Sequence, residues 1–168
     1  MNIVLIGFMG SGKTTISSQL AKKLQLNYLE MDDLVLKKSK RKDINQIFAI
    51  DGELKFRELE ITVSKQLIKS KNTVISTGGG VVMNKIIIDY LKKSGLIIFL
   101  ETSFAEIEKR LNSDRSRPLF KNKNQSKELF KLRQPLYKVY SNLTIKTDGQ
   151  TVNKIIKNII TEKTNYEN

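Results

Sequence analysis

The stretch GFMGSGKT, residues 7–14, has the spacing G-x-x-x-x-G-K-[ST] of a phosphate-binding loop. An apolar run precedes it and an amphipathic segment follows, which is the strand–loop–helix context that such a loop needs. Unpaired backbone N–H groups and the helix dipole would hold phosphate groups there, with Lys13 beside the β- and γ-phosphates and the Thr14 hydroxyl on Mg²⁺. The motif predicts a Mg-nucleotide site formed by Gly10, Ser11, Gly12, Lys13, Thr14 and Thr15.

A second unusual stretch is STGGGVV, residues 76–82, which follows the apolar run NTVI. Each glycine loses more backbone freedom on folding than any other residue, and a turn with positive φ needs only one or two of them. Three in succession indicate that something comes very close to the main chain. We expect a ligand to rest against Gly78, Gly79 and Gly80.

The composition limits the available chemistry. The 168 residues include no cysteine and no histidine, which excludes a thiol nucleophile, a disulfide framework and the commonest general base. Acid–base chemistry must therefore come from Asp or Glu, with Lys and Arg supplying positive charge. No apolar run is long enough to cross a membrane and the first predicted strand begins at residue 2, so we expect a cytoplasmic protein without a signal peptide.

The formal net charge is +13, from 30 basic and 17 acidic residues. A phosphate-rich partner, either a nucleic acid or a small anion, is one interpretation. The lysines are scattered in pairs, however, and no aromatic residues alternate with them as base-stacking platforms would. A generally basic surface is the favoured reading, and a nucleic-acid-binding module is kept as a minor alternative.

Short apolar runs alternate with longer amphipathic segments. NIVLIG, LNYLE, NTVIST, GLIIFLE and NLTIKT read as five buried strands, and residues 14–25, 103–112 and 151–163 read as helices. In the last helix, an apolar stripe is formed by Val152, Ile155, Ile156 and Ile159. This alternation predicts a single α/β domain over residues 1–168, with a five-stranded parallel sheet between helices.

Two segments depart from the alternation. Residues 31–70 contain several helical patterns and no strand, so they form an insertion between the second and third strands. Residues 112–126 are polar, basic and rich in turn formers. The second segment is either a disordered surface loop or a mobile lid over an anionic ligand.

Further motifs occur in the order YLEMDD, GELKFRELE, STGGG, RPLF and KLRQPLY. With the phosphate-binding loop and these gaps, the set resembles the shikimate kinase family over nearly the whole chain. The resemblance implies ATP-dependent phosphorylation of the shikimate 3-hydroxyl, in aromatic amino acid biosynthesis. It also implies a monomer with a nucleoside-monophosphate-kinase-like P-loop fold, in which residues 31–70 bind substrate and 112–126 form the lid.

The resemblance also implies a role for individual residues. Asp32 would orient or deprotonate the attacking hydroxyl, and Arg57 and Arg133 would clamp the shikimate carboxylate. The glycine triplet would contact shikimate, with the Gly79 amide bonding it directly. On the nucleotide side, Arg117 of the lid would reach the transferring phosphates. Arg110 would assist it, and Gln150 would lie beside adenine.

Several alternatives stay open. Glu30 stands where the family has the first Asp of D-x-D, which puts the Mg²⁺ geometry in question. Counting from Lys13 makes Asp32 the substrate carboxylate, whereas counting back from Ile47 points to Asp33. We favour Asp32 and place the extra residue in KKSKRKD. Arg57 with Glu60 would otherwise be a surface pair, and Arg133 a solvated helix residue. Another P-loop kinase, for gluconate or a nucleotide, is the nearest competing enzyme.

Overall fold

The computed structural model describes residues 2–112 and 123–167, and its strands form one sheet in the order β2-β3-β1-β4-β5. Each of the four neighbouring pairs is parallel, so the carboxyl ends of the strands lie at one edge. The predicted five-stranded parallel sheet is confirmed. The strands are β1 Asn2–Ile6, β2 Asn27–Glu30, β3 Thr73–Ser76, β4 Gly95–Glu101 and β5 Leu143–Lys146.

Helices cover both faces of this sheet. The three helices predicted from periodicity are confirmed as α1, α6 and α8, although α8 continues to Glu167. A π-helical turn at Ile47–Asp51 and a 3₁₀ turn at Val81–Met83 accompany them. The α-helices are α1 Lys13–Leu24, α2 Met31–Ser39, α3 Ile44–Gln46, α4 Gly52–Leu67, α5 Lys85–Ser94, α6 Phe104–Asn112, α7 Lys123–Tyr140 and α8 Val152–Glu167.

The core consists of two apolar layers, one on each side of the sheet. Along β1, Ile3 and Leu5 face the layer that contains α1 and α8, while Val4 and Ile6 face the opposite layer. This alternation follows from the two-residue period of a strand. Because both faces are covered, the central strands need apolar residues at nearly every position, as their sequences predicted.

The segment between β2 and β3 contains helices and turns and no strand, as expected. Helix α2 ends at Ser39, and the φ of 58° at the next residue, Lys40, lies in the left-handed region that favours glycine. Beyond it, the Arg41 guanidinium donates to both carboxylate oxygens of Asp51, at 2.8 and 2.6 Å. This bidentate pair connects the loop after α2 to the end of the π-helical turn.

The predicted lid segment, 112–126, is helical at both of its ends. Residue 112 is the last residue of α6, and residues 123–126 form the first turn of α7. The remainder, including Arg117, lies outside the described residues. Among the helices that are described, none is long and apolar enough to cross a membrane.

Candidate active site

A cleft of about 810 Å³ lies at the carboxyl ends of β1, β2 and β3. Ligands of open parallel sheets bind at this edge, because the loops that leave the strands meet there. Most of the predicted site residues line this cleft. They are Gly10, Gly12, Lys13, Thr14, Thr15, Glu30, Asp32, Gly78, Gly79, Gly80, Arg110 and Arg133. In the described part of the chain, Ser11, Arg57 and Gln150 are the predicted site residues outside its lining.

The loop after β1 has the backbone geometry of an anion site. Gly7, Gly10 and Gly12 have φ of 154°, 78° and 90°, conformations that side chains disfavour. Helix α1 begins at Lys13 without a side-chain cap, and the N–H groups at such a helix start are suited to donating to an anionic ligand. The Lys13 ammonium donates to the carbonyls of Gly7 and Phe8 at 2.8 and 3.0 Å, which holds it inside the loop.

Arg110 of α6 closes the nucleotide side of the cleft. Its guanidinium donates to the Ser11 carbonyl at 3.2 Å and to the Thr147 carbonyl at 3.0 Å. Glu106, one turn earlier on the same helix, accepts from its Nε at 2.9 Å. Arg110 therefore joins the phosphate loop to the segment that follows β5.

Gln150 lies in the connection between β5 and α8. Its Nε2 donates to the Lys146 carbonyl at 2.9 Å, and its Oε1 accepts from Asn158 at 2.9 Å. Both ends of the amide are thus used within this connection. The contact with adenine stays a prediction.

Asp32 is the more enclosed of the two neighbouring aspartates at the start of α2. One of its carboxylate oxygens lies 3.0 Å from the position that a Cβ on Gly78 would occupy, whereas Asp33 is exposed. Burial and the charge of Glu30 raise the pKa of Asp32, and the Lys13 ammonium lowers it. Asp32 therefore lies within the electrostatic reach of the phosphate-loop lysine and adjoins the glycine triplet.

Glu30 ends β2 and lines the cleft together with Thr14. The Tyr28 hydroxyl donates to one Glu30 carboxylate oxygen at 2.8 Å, which orients the side chain. No cluster of three or more acidic metal ligands occurs among the described residues. Mg²⁺ nevertheless needs only one or two protein oxygen ligands, because it keeps several water molecules and is bound mainly through carboxylates and substrate phosphates.

Gly79 lies close to the backbone of the phosphate loop, which leaves little room for a side chain. A Cβ on Gly79 would lie 3.3 Å from the Met9 backbone nitrogen and 3.5 Å from the Gly7 carbonyl oxygen. No member of the triplet is among the described glycines with positive φ, so a left-handed turn is not the reason for it. Two main chains approach each other here, and a side chain between them would push them apart.

The other two glycines face charged side chains. A Cβ on Gly78 would meet Asp32, and one on Gly80 would lie 3.1 Å from Arg57 Nη1 and 3.7 Å from Arg133 Nη2. Both predicted carboxylate-binding arginines therefore converge on Gly80. The triplet leaves room for the acidic group on one side and for the two guanidinium groups on the other.

Arg57 is held by two carboxylates of its own helix, α4. Its guanidinium lies 2.7 Å from Glu60 and 3.0 Å from Glu53, over the ring of Phe56. The Glu60 side chain is only 2% exposed, so the alternative of a surface pair is wrong. Burial raises the pKa of Glu60 and the Arg57 charge opposes this.

Glu60 is a functional candidate to which the sequence analysis assigned no role in the site. A Cβ on Gly78 would lie 3.6 Å from its carboxylate oxygen, so Glu60 and Asp32 adjoin the same glycine. A signal existed, because Glu60 occupies the apolar stripe of α4 between Phe56 and Val63, where a charged residue is unusual.

Arg133 of α7 is buried, with 9% exposure, so the alternative of a solvated helix residue is wrong. Its guanidinium lies 5.9 Å from the centre of the Phe8 ring, in the loop after β1. Among the described residues its Nε has no hydrogen-bond partner, and burial lowers its pKa. A buried cation with an unused donor at a cleft is suited to an anionic ligand.

A phosphate loop follows the first strand of this sheet, and Asp32, Arg57 and Arg133 adjoin the glycine triplet opposite it. This combination is typical of a P-loop kinase that acts on a small molecule. The family model described as shikimate kinase matches residues 9–164, and the chain belongs to the shikimate kinase family. A shikimate kinase of Caldicellulosiruptor saccharolyticus is 47% identical over 140 residues, covering 82% of this chain and 81% of that protein. A shikimate kinase from Acinetobacter baumannii, solved in complex with shikimate, superimposes with a TM-score of 0.88 at 32% identity, covering 98% of this chain and 93% of the other.

A gluconokinase from Sinorhizobium meliloti also has this fold. Its TM-score is 0.63 at 16% identity, with 99% of this chain and 96% of the other covered. Identity this low shows a shared fold alone. The fold by itself therefore does not distinguish a shikimate kinase from this gluconokinase.

Proposed function

We propose that the protein transfers the γ-phosphate of ATP to the 3-hydroxyl of shikimate, giving shikimate 3-phosphate and ADP for aromatic amino acid biosynthesis. The observation that carries the proposal is the buried, incompletely paired Arg133, which shares one cleft with Asp32 and Lys13. The family match over residues 9–164 supports the same acceptor.

In the acceptor half, Arg57 and Arg133 bind the shikimate carboxylate, since two guanidinium groups provide both charge and direction. The glycine triplet lies against the ring, with the Gly79 amide as a hydrogen-bond donor. Asp32 accepts from the ring hydroxyls and takes the proton of the attacking one. Positioning supplies much of phosphoryl-transfer catalysis, so a carboxylate of modest basicity is sufficient.

In the nucleotide half, the backbone N–H groups of the phosphate loop and the Lys13 ammonium hold the β- and γ-phosphates. Arg110 adds positive charge beside the loop. Arg117, outside the described residues, contributes a further guanidinium to the transferring phosphate, a role worth about 10³–10⁵ in turnover in related chemistry. Gln150 contacts the base.

The Thr14 hydroxyl and Glu30 are the residues that would hold Mg²⁺. The ion, when bound, neutralises charge on the phosphate oxygens. Glu30 reaches it directly or through water, in the place of a shorter aspartate. Tyr28 holds the Glu30 carboxylate in the cleft by its 2.8 Å hydrogen bond.

The proposal includes a monomeric enzyme in the cytoplasm, where ATP is supplied, with no nucleic-acid partner. It is tested by ADP release from Mg-ATP with shikimate, gluconate and a nucleoside monophosphate offered in parallel. Release with shikimate alone is expected. Release only with another acceptor would overturn the acceptor assignment and keep the nucleotide site, and no release with any of them would overturn both.

A further inference from the structure

Tyr137 is the largest fully buried side chain in the described structure, yet it carries a polar hydroxyl. Its ring stacks on Phe99 of β4, with the ring centres 5.1 Å apart and the planes inclined by 18°. A phenol in such surroundings needs hydrogen-bond partners, because an unpaired buried hydroxyl is costly. Its partners decide what the residue can do.

The Tyr137 hydroxyl donates to the Gly79 carbonyl oxygen at 2.5 Å. The Gly79–Gly80 peptide is planar and trans, so this bond also determines that the Gly80 N–H points away from Tyr137. Arg133 lies one helical turn earlier on the same face of α7, and its Nη2 is 3.7 Å from the position that a Cβ on Gly80 would occupy. The peptide that the Tyr137 hydroxyl holds therefore adjoins the Arg133 guanidinium.

The Gly79–Gly80 peptide held by this hydroxyl lies between two parts of the cleft that are far apart in sequence. Gly79 abuts the backbone of the phosphate loop at Met9, and Gly80 adjoins Arg133 of the acceptor half. Among the described residues Arg133 Nε has no hydrogen-bond partner, so a shift of this peptide would change the surroundings of a guanidinium that has a donor left for a ligand.

We propose that Tyr137 is a positioning residue for acceptor binding, whose hydroxyl holds the Gly79–Gly80 peptide in place beside the Arg133 guanidinium. The inference rests on the proposed function, because it assigns Arg133 to the acceptor carboxylate. It differs from a purely structural role in one respect. A structural role would affect both substrates alike, whereas a positioning role acts on the acceptor.

The test is Tyr137→Phe, which keeps the stacked ring and removes only the hydroxyl. Loss of this buried hydrogen bond to the Gly79 carbonyl is expected to raise the KM for shikimate about tenfold while the KM for ATP changes less than about twofold. Tyr140→Phe is the matched control, because Tyr140 lies on the same helix with its ring beside the Lys92 ammonium, 5.6 Å away. Equal changes in both KM values, or no change in either, would overturn the proposal.

A double-mutant cycle with Arg133→Lys provides the second measurement. If Tyr137 acts through Arg133, the double variant should bind shikimate no more weakly than Arg133→Lys alone, whereas fully additive losses would contradict this. If Tyr137→Phe does not fold, Arg133→Lys and wild type are compared instead by shikimate titration. An unchanged affinity in Arg133→Lys then removes the basis of the proposal.

Failure of the proposed function would be seen in the acceptor specificity of the wild-type protein, before any Tyr137 variant is measured. If wild type releases ADP only with another acceptor, the shikimate assignment fails, and the same variants tested with that acceptor still decide the role of Tyr137.

Discussion

At the scale of single residues, Asp32 has opposite consequences for activity and for stability. Burial, followed by the charge of Glu30, raises its pKa above the ordinary value of 3.8. The folded chain thus binds this proton more tightly than the unfolded chain does. The resulting stabilisation is complete below pH 3.8 and is lost as the pH rises through the folded-state pKa. At neutral pH the ionised carboxylate therefore destabilises the fold.

We accordingly predict that Asp32→Asn raises the Tm at pH 8 by a few degrees and leaves it nearly unchanged at pH 3, as the neutral amide removes the buried charge. Turnover should fall about 10²–10⁴-fold, because the proton acceptor is lost. Differential scanning fluorimetry and a coupled ADP assay measure the two effects. Asp33→Asn is the matched control, and full activity in Asp32→Asn with none in Asp33→Asn would reverse the assignment.

Arg57 has a structural role besides its proposed role in binding. Arg57→Ala should raise the KM for shikimate about 10- to 100-fold with the KM for ATP nearly unchanged. It should also lower the free energy of unfolding by about 1–3 kcal/mol, because Glu60 then stays buried without the cation that donates a hydrogen bond to it. Adding Glu60→Gln should restore much of the stability without restoring shikimate binding.

Lys55→Ala controls for the loss of a cation on α4, since Lys55 makes an exposed pair with Glu58. It should change neither KM nor Tm appreciably. If Arg57→Ala weakened ATP and shikimate equally, the assignment of Arg57 to the acceptor would be wrong.

At the scale of elements, the loop after β3 separates the two halves of the cleft within two residues. A methyl group on Gly79 would press on the backbone of the phosphate loop, 3.3 Å from the Met9 nitrogen, whereas one on Gly80 would meet the ends of two arginine side chains. Gly79→Ala should therefore raise the KM for ATP more than the KM for shikimate, and Gly80→Ala should do the reverse. Steady-state kinetics of the two variants measure this, and each variant serves as the control for the other. The same pattern of KM changes in both variants would contradict the prediction.

The end of α2 offers a prediction about stability alone. Lys40 has a φ of 58°, which costs an L-residue roughly 1–2 kcal/mol compared with glycine. Glycine loses more backbone entropy on folding, which offsets part of this difference. Lys40→Gly should therefore stabilise the protein by up to about 1 kcal/mol in denaturant titration. Lys38→Gly, at an exposed position within the same helix, should destabilise it by about as much. Stabilisation by both would point to charge rather than conformation.

At the scale of the whole molecule, both substrates bind only where the ends of several strands meet, so each should stabilise the folded chain. At 100 times its Kd a ligand adds about 2.7 kcal/mol, which raises the Tm by several degrees for a protein of this size. We expect such shifts with shikimate and with Mg-ADP, and none with gluconate. An RNA oligonucleotide should also leave the Tm unchanged. A salt-sensitive shift with RNA and none with shikimate would make the charge of +13 the main clue to function.

The sequence predicted the elements well for reasons that particular residues show. The strands are continuous apolar runs because both faces of the sheet are covered. The phosphate loop is recognisable because Gly10 and Gly12 have φ of 78° and 90°, which other residues rarely adopt. Glu60 and Tyr137 belong to the motifs that carry the resemblance but received no role in the site, since their contacts with the glycine triplet join segments that lie far apart in the chain. Spacing along one segment does not reveal such contacts.

The sequence by itself determined that the chain forms a P-loop α/β domain, that its chemistry excludes thiol and imidazole groups, and which family its motifs resemble. These are local properties, set by periodicity, backbone preference and the order of short motifs. Only the tertiary structure decided that Asp32 rather than Asp33 is enclosed, that Gly79 is required by the phosphate loop, and that Arg57 and Arg133 converge on Gly80. Those outcomes depend on burial and on contacts between segments far apart in the chain, which arise only when the sheet brings the strand ends together.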